Sequence, residues 1–154
     1  MQGFYNLSEK IRETLQLDQY VNTVTYGNLF EIDLNKSTIF PLSHFMVTNA
    51  VLQESVWNFS ISLLCMDIVE ENKTFANGIP GEFRGNNNEQ DVFNTQLAVG
   101  NRLIELLRRG SLYVELYQLQ GDATFEPFVD RFENKLAGWT ISFNVEIPNG
   151  MTIC

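Results

Sequence analysis

Trp57-Asn58-Phe59-Ser60-Ile61-Ser62-Leu63 is the stretch whose reading decides the fold of this chain of 154 residues. Its odd positions are apolar and its even positions carry amides or hydroxyls, the period of two expected of a strand with one buried face. Outward from it, the run from Phe40 to Val69 adds Val47, Val51, Val56, Leu64 and Ile68, side chains suited to a pleated, half-buried surface. The run reads as two long strands. Gln53-Glu54-Ser55 is the expected reversal, without the Asn-Gly or Asp-Gly pair that marks a tight turn. Pro41 restricts Phe40 to extended backbone and places the entry into the sheet there.

A second alternation lies near the end of the chain. Trp139, Ile141, Phe143, Val145 and Ile147 interleave with Thr140, Ser142, Asn144 and Glu146, which predicts a long antiparallel strand over 136–147 that Pro148 ends. Ahead of it, Glu89 and Asp91 open a helix that closes on Arg102, Arg108 and Arg109, an order of charge that suits the helix dipole, with Gly110 as its C-terminal cap. Phe93, Leu97, Gly100, Ile104 and Leu107 form its apolar stripe, widened by Val92, Val99, Leu103 and Leu106, and this face is predicted to lie across the sheet. Gly100 within the stripe permits close approach of the backbone.

The first residues predict another helix, with Asn6 and Glu9 as a capping box and Leu7, Ile11, Leu15 and Leu17 at helical spacing through about Val21. Thr23 to Tyr26 and Leu29 to Leu34 are short extended pieces around Gly27-Asn28. Leu112 to Leu116 reads as a short strand and Gln118 to Pro127 as a loop. Residues 70–90, rich in Gly, Asn and charge, read as a long loop whose Phe75, Ile79 and Phe83 are anchors, docking either on the domain itself or on a neighbouring subunit. These elements compose an α+β fold: a mostly antiparallel sheet of four or five strands packed by two helices.

A hydrophobic content of 44% over this length supports one well-buried core, so a single domain is expected. The 19 acidic residues outnumber the 10 basic ones, giving a net charge of −9. That balance argues against non-specific nucleic-acid binding, which needs Lys and Arg to neutralise phosphates, although an acidic surface can face DNA as a repelling wall. Cys65, inside the apolar run, reads as a small buried hydrophobe, and Cys154 as a tail thiol. Neither disulfide framework nor metal-ligand spacing follows from two such cysteines, and a reducing compartment is expected. The opening Met-Gln-Gly-Phe-Tyr-Asn lacks a basic region followed by an apolar core, and no apolar run of about 18 residues is present, so neither a leader nor a membrane span is expected.

The search for chemistry yields little. His44, the only histidine, has no serine or cysteine motif beside it and reads as a structural or surface residue. Asp67, Glu70 and Glu71 cluster without calcium-loop spacing and read as a solvated acidic rim. Gly78, Gly81 and Gly85 lack the Lys-Ser/Thr of a phosphate-binding loop, and acids rather than bases follow them. No catalytic residue, cofactor or metal is expected.

The order of helix, extended pieces, long hairpin, loop, amphipathic helix and closing strand resembles the tail-completion or tail-terminator proteins of tailed bacteriophages. Within it, Phe40-Pro41-Leu42-Ser43-His44, Asp67, Asp91-Val92-Phe93-Asn94 and Asn134-Lys135-Leu136-Ala137-Gly138-Trp139 look like the neck ring proteins of crAss-like phages. The resemblance implies a virion protein, assembled in the host cytoplasm, that does no chemistry. It further implies a homo-oligomeric ring of six or twelve subunits between portal or neighbouring neck proteins and tail proteins, with DNA passing through its channel without specific binding. The expected subunit interface pairs Phe30, on the Thr23–Leu34 arm, with Phe75, Ile79 and Phe83 of the long loop. The residues alone leave two other classes open: a non-viral assembly adaptor, and a small-ligand-binding α+β domain, which needs a concave pocket with convergent polar groups.

Overall fold

Residues 2–27, 39–69, 89–131 and 135–149 are described by the computed structural model. Five strands form one sheet: β1 (Thr23–Tyr26), β2 (Leu42–Leu52), β3 (Val56–Ile68), β4 (Gln118–Arg131) and β5 (Lys135–Pro148), in the spatial order β1-β2-β3-β5-β4. β1 runs parallel to β2, and every other pairing is antiparallel. The alternating stretch that opened the reading is thus the middle strand, and the second alternation, β5, lies beside it over its whole length, from Val56 opposite Pro148 to Ile68 opposite Leu136.

Two long helices, α1 (Gln2–Gln16) and α2 (Glu89–Arg109), cover one face. Because strand side chains alternate, the odd residues Phe59, Ile61, Leu63 and Cys65 of β3 join Ile141, Phe143, Val145 and Ile147 of β5 under the helices. Leu7, Ile11 and Leu15, one helical turn apart on α1, and Val99, Leu103, Ile104 and Leu107 of α2 complete this core. The α+β architecture agrees with the sequence reading. A smaller apolar cluster of Phe40, Leu42, Met66 and Leu136 is buried at one end of the opposite face. Among the described residues, no helix is long and apolar enough to cross a membrane.

Several local expectations are overturned. The helix α1 begins at Gln2 and ends at Gln16, so Asn6 lies within it rather than capping it, and Leu17, 87% exposed, falls beyond it. The predicted strand over Leu112–Leu116 is a helical turn, α3 (Ser111–Val114). Gly110 does not cap α2 with a positive φ; it is extended (φ −105°, ψ −153°) and starts α3, and a Cβ there would press on the Leu106 backbone. The predicted loop over Gln118–Pro127 is most of β4. Its polar residues and proline are compatible with a strand because β4 is the sheet's outer edge, where a missing N–H breaks no ladder.

The predicted stripe on α2 holds except near its middle, where Gln96 rather than Leu97 turns inward. Val92, Val99, Gly100, Leu103, Ile104 and Leu107 are buried as expected, but Gln96 joins them, while Leu97 stays 36% exposed on the flank. Gln96, 1% exposed, takes the interior position, and neither atom of its amide has a hydrogen-bond partner. Gly100 fulfils its expectation: a Cβ would collide with the Ile141 side chain and touch Phe125.

Candidate functional site

The side of the sheet away from the helices is built by the even residues of β3 and β5, and among the described residues no helix packs against it. Register lines these residues up in rows. Asn49 of β2, Ser60 of β3, Asn144 of β5 and Gln120 of β4 form one row, and Ser62, Ser142 and Thr124 form the next. The Ser60 hydroxyl donates to Asn144 Oδ1 at 2.7 Å, and the Asn58 amide donates to Gln120 Oε1 two strands away. Side chains that bond one another across strands hold the surface flat and ordered.

A bulge in β4 between Gln120 and Thr124, turned at Gly121 (φ 70°), raises Asp122 at one border. With Thr48, Ser60, Ser62, Thr124, Ser142 and Asn144 it bounds a shallow trough of about 440 Å³. Hydroxyls and amides line the trough, and no Lys or Arg does among the described residues. Among the described side chains, the charged ones that β3, β5 and the paired part of β4 turn to this side, Glu146 and Glu126, are both acidic. Such a surface offers hydrogen bonds but no counter-charge for phosphate.

His44 shares this side's parity and is nonetheless fully buried. Nε2 lies 2.8 Å from the carbonyl of Gly27, which can only accept, so this nitrogen carries the proton; Nδ1, 2.8 Å from the Thr25 hydroxyl, then accepts. Burial pushes its pKa below the ordinary value, and the bond to Gly27 offsets part of that shift. Both ring nitrogens therefore hold β1 to β2, as the structural reading expected, and neither serves as a base for the trough hydroxyls.

Cys65 is buried as expected, and burial pushes its thiol up to about 12, far from the thiolate that reactivity needs. Asp67 accepts from the backbone N–H of Ile68 at 2.7 Å. Glu70, Glu71, the three loop glycines and Cys154 lie outside the described residues, as do all four expected interface residues, Phe30, Phe75, Ile79 and Phe83. Among the described residues, no group of three or more His, Cys, Asp and Glu is placed to hold a metal ion.

The cleft between the helices, about 470 Å³, is closed by a clasp: Arg102 reaches both carboxylate oxygens of Asp18 at 2.6 and 2.7 Å and lies over the Tyr20 ring. This forked pair fixes the turn after α1 against α2. The clasp escaped the sequence reading because Asp18 and Arg102 are distant in the chain. The polar rows left a signal in the even positions of the two alternating stretches, whose apolar halves carried the fold prediction.

Compared with protein-family models and with curated proteins, the chain matches none.

Proposed function

We propose that this chain is a structural connector subunit of a phage virion, forming a ring in the neck between portal and tail. The observation that carries the proposal is the polar face of the sheet, to which no Lys or Arg contributes among the described residues. Among the described residues, the broad side away from the helices turns hydroxyls, amides and two glutamates outward. A wall past which DNA must move benefits from this chemistry, because Lys and Arg would bind phosphates and retard passage, whereas neutral groups already bonded to each other exert little hold. The layout of hairpin, amphipathic helix and closing strand, which resembles the tail-terminator proteins, supports the same reading. In such a ring the polar face lines the channel and the helices lie outside it. The subunit performs no catalysis and needs no cofactor.

Electron microscopy of the purified chain, alone and with its portal, tests the assignment. The expected result is a closed ring of six or twelve copies with the β3–β5 face lining the hole. Virions carrying Ser62→Lys, Ser142→Lys and Asn144→Lys together are expected to assemble and to release DNA more slowly. A chain that stays monomeric with its portal, or heads and tails that join normally without it, would overturn the proposal.

A further inference from the structure

The two halves of α2 are held to the sheet in different ways. Val99, Leu103, Ile104 and Leu107 belong to the main core under the helices, whereas Val92 is buried in a small cluster with Val69 and Ala137, with Phe93 packed beside it. Between the halves stands Gly100, so close to the sheet that a Cβ would collide with the Ile141 side chain. Lacking that atom, it also gives the helix backbone its freest point. In the first half the Thr95 hydroxyl donates back to the carbonyls of Asp91 and Val92 at 3.0 and 3.2 Å, a contact that weakens and bends helices.

Two adjacent residues of this half sit against their own chemistry. Gln96 is buried with both atoms of its amide unpartnered, and Leu97 beside it is left on the surface. A buried amide without hydrogen bonds bears the loss of its water, and an exposed leucine forgoes burial. Successive residues of a helix lie about 100° apart around its axis, so a roll of that size by the first half would correct both, taking Gln96 to solvent and Leu97 to the sheet. Phe93 would follow Leu97 inward in place of Val92, and Phe93, Leu97 and Gly100 then run on into Ile104 and Leu107 at helical spacing. Two things oppose the roll: the burial of Val92, and the Trp139 indole, whose Nε1–H donates to the Phe93 carbonyl at 2.8 Å while the two rings meet edge to face. Each arrangement gives up what the other keeps.

We infer that the first half of α2, residues 89–97, is a two-state element that rolls by one residue relative to the second half, with Gly100 as the pivot, between the arrangement with Gln96 inward and one with Leu97 inward. The second half stays in the main core in both. The roll withdraws Leu97 from a depression of about 320 Å³ that it lines with Asn94, Ala98, Asn101 and Phe125, so the flank of α2 has a different shape in each state. A molecule that binds one shape better draws the population towards it. This inference does not depend on the ring reading above.

The test is fluorine NMR of the full chain labelled with 5-fluorotryptophan, whose two signals, from Trp57 and Trp139, are told apart by Trp57→Phe. Trp139 is expected to show a second signal at about 1–10% of the first, or the line broadening that exchange with it produces, and Trp57, which pairs with Ile147 at the far end of the sheet, is not. Two single variants separate a roll from simple loosening. Gln96→Leu removes the unpaired amide and should raise the melting temperature, while Leu97→Gln removes apolar area and should leave that temperature unchanged or lower. Each takes away what the roll gains, so both should reduce the minor signal at least tenfold although they move stability in different directions. A single sharp Trp139 signal in the parent overturns the inference. A minor signal that persists or grows in Leu97→Gln also overturns it, because local unfolding of the helix end, unlike the roll, is not suppressed by a polar residue at that position.

Discussion

The two faces of the central sheet are made from the same strands, in alternate residues, and differ in almost every physical respect. Under the helices, Ile61, Leu63, Ile141, Phe143 and Val145 are buried and packed on α1 and α2. On the other side, Ser60 bonds to Asn144 and Ser62 and Ser142 stand opposite each other in the next row. The apolar face supplies the stability, through burial that scales with area, while the polar face contributes little to it and is left for what the molecule meets. A change of one position along β3 or β5 therefore moves a substitution from one role to the other.

The largest effect is expected on the covered face. Ile141→Ala should lower unfolding free energy by about 2–5 kcal/mol, read as a fall in the urea midpoint at unchanged slope. Gly138→Ala comes next, because its Cβ would run into the Cys65 carbonyl and Met66 Cα on the neighbouring strand, where backbone must move rather than a side chain. A cost of about 1–3 kcal/mol is expected, and a neutral result would break the register that places Gly138 opposite Met66.

His44 sharpens the comparison from the other direction, since it belongs by parity to the open side but is buried. Its folded pKa lies below the ordinary 6.5, so the unfolded chain binds the proton more readily. The resulting contribution is fully present above that value and is lost as pH falls through it towards the folded pKa. Urea midpoints of the parent should decline between about pH 7 and pH 5, with His44→Gln showing a flatter profile over that interval. The smallest effect belongs to the rows themselves: Ser142→Ala, on an exposed residue, should change stability by no more than about 0.5 kcal/mol in the same measurement.

What could be read in advance follows the same division. Strands β3 and β5 were legible because both neighbours of each are strands and one face is buried, so alternation is written over the full length. The edge strand β4 was not, since Gln118, Gln120, Asp122 and Pro127 carry no such constraint. On α2 the helix was plain but its inward row was not: composition favours Leu97 over Gln96, and only the position of the sheet decides between them. The corner at Leu116 left no signal, because nothing in Leu-Tyr-Val-Glu-Leu distinguishes a strand from a helical turn followed by a left-handed residue. The face proposed as functional was legible only as the polar half of an alternation.

The pairing of β3 with β5 also sets the timing of folding. The central strand finds one neighbour, β2, immediately before it in the chain, while its other neighbour is the last strand described. During synthesis, Val56–Ile68 must wait with one edge unpaired while α2 and β4 are made, and only the final segment closes it. A nascent chain stopped before β5 presents the apolar edge of Phe59, Ile61 and Leu63 without its partner, a template for misassociation between ribosome-bound copies. Completion of the sheet therefore waits on β5, and until it is made the central strand is paired through β2 alone.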